Sequence, residues 1–142
     1  MEVNNSLITK EVCIFNLIKS ANTDQDAAFK LGQMYLNGDG VKQDAQKAKF
    51  YLEQAEELGH SEVSALYGFL YKYGASGFVK DLAKAAGYFE VAGLFSEPMD
   101  EALLWEAINL YLYGGENGEP LDEKYGFGLL LSMRENYNIV YA

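Results

Sequence analysis

The chain has 142 residues, 49% of them hydrophobic, with 21 acidic residues against 11 basic ones, a net charge of −10 and a single cysteine. That is enough sequence for one compact domain with its own core, and too apolar a composition for a disordered chain. The negative field opposes nucleic acid and anionic lipid surfaces, no stretch approaches the roughly 20 apolar residues of a membrane span, and the lone Cys13 excludes an internal disulfide.

In chain order, the start MEVNNSLITKEVCIFNLIK opens with an acid instead of a basic stretch. Its apolar residues are interrupted by Asn16 and flanked by Lys10 and Lys19, so it reads as an amphipathic helix over 6–20 and not as a targeting segment. Ser6 is its expected cap, and Cys13, among apolar neighbours, is expected to be a small buried residue. Thr23 or Asp24 then caps a helix over 24–37, in which Ala27, Leu31 and Tyr35 share a face at a spacing of four. Gly32 beside them offers a close approach to another helix. Asn37-Gly38-Asp39-Gly40 breaks this helix, because glycine takes the left-handed conformation that a helix end needs. Asp44 caps the next helix, 44–58, whose apolar face is Ala48, Tyr51, Leu52, Ala55 and Leu58 and whose end is Gly59.

A second pair is expected at 61–73 and 81–93, with Ser61 as a cap and Gly87 at a close packing contact in mid-helix. Ser96 is expected to cap a helix running to Tyr113, followed by a loop over 114–120 and a last helix over 122–135. Ile139, Val140 and Tyr141 in the tail are expected to pack against the rest of the chain.

The two pairs share one grammar. Leu31-Gly32, Tyr35, Gly38, Asp44, Lys47-Ala48, Tyr51 and Ala55 return about 36 residues later as Tyr67-Gly68, Tyr71, Gly74, Asp81, Lys84-Ala85, Tyr88 and Ala92. A repeat of one helix pair at this period is the signature of an α-solenoid. The pattern A-x3-LG-x2-Y-x2-G-x-GV-x2-D-x2-KA-x2-Y-x3-A-x3-G resembles the Sel1-like repeat, a relative of the tetratricopeptide repeat. A degenerate third copy carries Tyr111, Gly114, Gly118 and Lys124, with Ala107-Ile108 for its LG and Lys124-Tyr125 for its KA.

The resemblance implies an all-α, right-handed superhelix that binds other proteins and is not itself a catalyst. On this reading residues 1–142 form one domain: a capping helix over 6–20, repeats over 24–59 and 61–93, and a degenerate repeat over 96–135. Some secreted relatives carry a disulfide in each repeat; the absence of such cysteine pairs favours a cytoplasmic protein.

Chemistry is sparse. His60 is the only histidine and sits in a turn, where a solvated loop residue is expected, so no histidine-based metal site is available. Asn37-Gly38-Asp39-Gly40 fails as a calcium loop, since the end ligand positions would be Tyr35 and Gln46. With one arginine, Arg134, phosphate clamping is disfavoured, and no cofactor is implied.

Following positions 30, 33, 34 and 37 through the copies gives four ladders on one helical face. They are Lys30, Leu66 and Glu106; Gln33, Phe69 and Asn109; Met34, Leu70 and Leu110; and Asn37, Tyr73 and Tyr113. The alternative, for Met34, Leu70 and Leu110 and also for Phe69, Tyr73 and Tyr113, is that they fill core. The expected protein-binding residues are Gln33, Asn37, Phe69, Tyr73, Glu106, Asn109 and Tyr113, with Trp105 at the border. Glu116 and Glu119 join them from the stretch between Lys84 and Lys124, which holds nine acids and no Lys or Arg. The expected partner is a basic protein, with a toxin domain neutralised by an immunity-type inhibitor as the specific expectation. An adaptor or regulatory scaffold in signalling or envelope assembly is the alternative, and an enzyme with a groove site is the reading from another class.

Overall fold

Aspartates set where most of the helices begin. Asp24, Asp44, Asp81 and Asp100 each sit in extended backbone, and each carboxylate accepts a hydrogen bond from an amide of the first turn that follows. Asp122 does the same for the Tyr125 N–H at 3.0 Å. The computed structural model describes residues 5–137. Among them lie seven α-helices, one 3₁₀ turn at Glu116–Gly118 and no strand. The helices are α1 (Asn5–Ser20), α2 (Gln25–Asn37), α3 (Ala45–Glu57), α4 (Val63–Tyr73), α5 (Leu82–Leu94), α6 (Glu101–Tyr113) and α7 (Glu123–Tyr137). The fold class is all-α, one helix followed by helix pairs, as the repeat pattern implies.

Two compact units divide the chain, Met1–Val63 and Ser64–Ala142. In the first, α2 and α3 pack through a missing side chain. A Cβ on Gly32 would lie 2.5 Å from Leu52 Cδ2, so only glycine lets that leucine seat fully. Ala28, Leu31, Ala48, Leu52 and Ala55 are wholly buried around this contact. Burying a leucine contributes about 1.5–3 kcal/mol relative to leaving it in water. Helix α2 ends on Gly38, in the left-handed region at φ 68°, whose N–H returns to the Met34 carbonyl.

In the second unit the device recurs. A Cβ on Gly68 in α4 would lie 2.7 Å from the ring of Phe89 in α5, which is wholly buried. Leu104, Ile108, Leu112 and Met133 build a further core between α6 and α7, with Leu129 and Leu130 packed against it.

Several expectations are corrected. Helix α1 is already helical at Asn5, so Ser6 lies inside it and not at its cap. Cys13 is exposed, because α1 turns only one side toward α2: Ile14 and Leu17 are half-buried there, while Val12, Phe15 and Ile18 remain 52%, 58% and 41% exposed. Ser61 precedes α4 without capping it; the His60 imidazole accepts the Glu62 N–H at 3.2 Å in that turn. Ser96 instead donates its hydroxyl to the Ala92 carbonyl and so closes α5, leaving Asp100 to cap α6. Gly87 meets no close packing, since a Cβ there would find nothing within 4 Å. His60 is not a solvated loop residue. It stacks on Phe29 at 4.1 Å, its Nε2 lies 3.3 Å from Asp26 Oδ1, and its side chain is 10% exposed. The packing expected for Ile139, Val140 and Tyr141 falls outside the described residues.

Candidate protein-binding surfaces

In α4, Phe69 and Tyr73 stand one turn apart and stack with parallel rings, 6.5 Å between centroids. They are 40% and 65% exposed, and Phe69 also meets the buried Phe89 edge-on at 4.9 Å, which fixes its orientation. Between them in sequence, Lys72 reaches α6: its Nζ lies 2.7 Å from Glu106 Oε2 and 5.2 Å from the centre of the Tyr73 ring. The hydrogen bond to Glu106 raises the Lys72 pKa above its usual value, against burial that lowers it. Along α6, Asn109 and Tyr113 continue the Glu106 face at helical spacing, with Tyr113 65% exposed.

The second unit thus brings Phe69, Tyr73, Glu106, Asn109 and Tyr113 to neighbouring helix faces tied by one ion pair. Glu106 is engaged by Lys72 and is not a free acid. Leu70 and Leu110 are buried and belong to the core. Trp105 is half-buried against the Leu104, Ile108, Leu112 and Met133 cluster, so most of its ring serves packing. Glu116 and Glu119 are exposed at the 3₁₀ turn, whose Gly115 N–H donates to the Glu119 carbonyl. In the first unit, Gln33 and Asn37 are exposed on α2.

Behind these faces, each of the first two helix pairs holds a buried tyrosine against its second helix. Tyr35 stacks on Tyr51 at 5.8 Å with Lys47 5.5 Å from its ring centre. Tyr71 stacks on Tyr88 at 5.8 Å with Lys84 5.2 Å from its ring centre. The third pair keeps the backbone frame. The Asp122 N–H donates to the Tyr111 carbonyl as Asp44 does to Tyr35 and Asp81 to Tyr71. Counted from that aspartate, Tyr125 stands where Lys47 and Lys84 stand, Gly126 replaces Ala48 and Ala85, and Leu129 replaces Tyr51 and Tyr88. The sequence alignment of Lys124-Tyr125 with the KA pair is therefore one residue out of register.

Sequence reasoning missed what this substitution builds. Tyr125 meets Tyr111 edge-on at 4.9 Å, and both hydroxyls donate to the half-buried Glu90, Tyr111 at 2.9 Å to Oε2 and Tyr125 to Oε1. Burial first, then the bond to Glu90, raises the Tyr111 pKa; for Tyr125 the bond to Glu90 is the larger cause. Beside this trio an open groove of about 590 Å³ runs between α5 and α7, lined by Glu90, Leu94, Asp122, Tyr125, Gly128 and Leu129, with Lys124 and Ser132. A smaller groove of about 180 Å³ in the first unit lies between α1 and α2, lined in part by Cys13, Lys30 and Met34. Among the described residues no group of three or more His, Cys, Asp or Glu is placed to hold a metal, and no helix is long and apolar enough to cross a membrane.

Residues 25–60 and 62–93 match the family model of the Sel1 repeat. A crystal structure of a Sel1 repeat protein from Oxalobacter formigenes is similar over 88% of this chain and 90% of that one, with a TM-score of 0.61 and 25% sequence identity. No curated protein matches the sequence significantly. Sel1 repeats generally mediate protein–protein interaction and are typically non-catalytic modules. Two adjacent family-model matches, with helix pairs of matching architecture, identify residues 25–60 and 62–93 as Sel1 repeats.

Proposed function

We propose that the chain is a non-catalytic module that binds a basic protein through the α4–α6 face, and that it acts as an immunity-type inhibitor covering the active site of a basic toxin in the cytoplasm. One observation carries this reading: Phe69, Tyr73 and Tyr113 stand exposed around the Lys72–Glu106 pair, in a chain of net charge −10. Exposed aromatic side chains supply contact area at low entropic cost and dominate interface energetics. The acidic stretch from 85 to 123 would steer a cationic partner and speed its association.

The test has two parts. Expression of the chain should protect cells from a basic enzyme encoded beside it; no protection, or no such neighbour, ends the inhibitor reading. Purified Phe69→Ala/Tyr73→Ala/Tyr113→Ala protein should bind the partner at least about a hundredfold more weakly, because hot-spot aromatics cost on the order of 2 kcal/mol or more when truncated. Unchanged affinity would remove the face from consideration. Salt-indifferent binding of several partners would favour a scaffold instead.

A further inference from the structure

The groove between α5 and α7 is a consequence of how the third helix pair departs from the other two. Leu129 fills less space than the tyrosines at its equivalent positions, and Gly128, like Gly87 of the second pair, carries no side chain where the first pair has Phe50. A Cβ on Gly128 would meet nothing within 4 Å. Its lining divides by chemistry. Leu94, Leu129 and the face of Tyr125 offer apolar wall, and Glu90 and Asp122 offer carboxylates against one exposed amine, Lys124.

Glu90 is the organised member. Each of its oxygens already accepts one tyrosine hydroxyl, which fixes the carboxylate in place. Each oxygen keeps a second lone pair, so the group can still accept a forked donor from the groove side. Asp122 spends one oxygen on the Tyr125 amide and presents the other. Two carboxylates repel an anion, and two are too few for a protein-built metal cage. A cation on an aliphatic stem fits both parts of the lining: the stem against leucines, a planar guanidinium against a carboxylate and a tyrosine ring.

We propose that the α5–α7 groove is a second binding site, separate from the α4–α6 face, that receives an arginine side chain of a partner protein. It rests on the protein-binding reading only for the source of that side chain.

The test is an NMR titration of the full chain with N-acetyl-arginine amide, and with N-acetyl-citrulline amide, which keeps the shape and removes the charge. The arginine probe should saturate and shift the amides of Glu90, Tyr125 and Gly128, with citrulline binding at least about tenfold more weakly, as expected for a charge-assisted pair. Gly128→Phe, which restores the first pair's residue, should abolish saturation. Glu90→Gln should weaken the arginine probe by at least about tenfold even if the Phe variant folds poorly. Glu53→Gln/Glu57→Gln, exposed acids on α3, should leave binding within about twofold, since distant surface charges are screened. Equal binding of arginine and citrulline, or wild-type affinity in either groove variant, overturns the proposal. So do shifts spread over the whole acidic surface. Loss of partner binding in the aromatic triple variant with arginine-probe binding intact, or the reverse, separates this site from the α4–α6 face.

Discussion

The pairs α2–α3 and α4–α5 can be compared directly with α6–α7. The first two reproduce the same side-chain arrangement: a capping aspartate, a tyrosine stack of 5.8 Å, a lysine over the ring and a wholly buried alanine. The third keeps the cap and the bond from the aspartate N–H to the tyrosine carbonyl, 3.0, 2.9 and 3.0 Å in the three pairs, and replaces the stack and the lysine. Backbone bonding, then, holds the pair in register, while the side chains above it are open to rewriting. The rewriting turned a closed aromatic contact into a tyrosine–carboxylate trio beside an open groove.

The comparison breaks most severely at the knob that fills each glycine notch. Phe89→Ala should cost about 3–5 kcal/mol in urea denaturation, while Leu130→Ala, at the equivalent but half-buried position of α7, should cost clearly less. Gly68→Ala, which drives a Cβ to 2.7 Å from the Phe89 ring, should destabilise by about 1–3 kcal/mol. Asp44→Ala, Asp81→Ala and Asp122→Ala should each cost about 1 kcal/mol; a much smaller loss at Asp122 would show that the third pair does not share the frame.

Alkali sharpens the contrast from the other side. Tyr111 and Tyr125 hold their protons more tightly in the folded chain than the ordinary tyrosine value of 10.0. The folded state therefore binds more protons than the unfolded one above that pH. Stability present below pH 10 is lost as pH rises through the raised values, by on the order of 1 kcal/mol near pH 11 after solvent screening of these partly exposed groups. Tyr125→Phe should reduce that loss, read by denaturation at pH 9 and 11 alongside tyrosinate absorbance. The smallest effect is favourable: Gly87→Ala should stabilise α5 by about 0.5–1 kcal/mol, because the added methyl meets open space and lowers the unfolded chain's entropy.

Much of this architecture was legible because its signals are chemical and local. Asp44 and Asp81 announce helix starts, Gly32 beside Leu31 announces a notch, and Tyr35 and Tyr71 announce a buried face. Following the repeat register through the copies makes positions 69, 73 and 113 candidates for the exposed face, and all three are exposed. What escaped needed spacing in three dimensions. Lys124 matched Lys84 by residue type, and only the bond from Asp122 to Tyr111 shows that Tyr125 takes the lysine's place. His60 looked like turn filler, since nothing in its neighbours in sequence reveals the Phe29 ring beneath it. Cys13 looked buried because an apolar helix does not say which of its sides has a partner.

The aspartate caps also change what the charge of this chain means. Five of its 21 acids, Asp24, Asp44, Asp81, Asp100 and Asp122, are committed to the amides that open a helix. There the positive end of a peptide dipole offsets part of each charge. Close to the surface the potential is accordingly more concentrated on the remaining acids, while at long range, where a helix dipole cancels, the full −10 still acts. A charge-neutralising scan should divide into two populations: removal at the five caps lowers stability by about 1 kcal/mol each as well as weakening long-range attraction, and removal at exposed acids that bond no partner weakens attraction with little loss of stability.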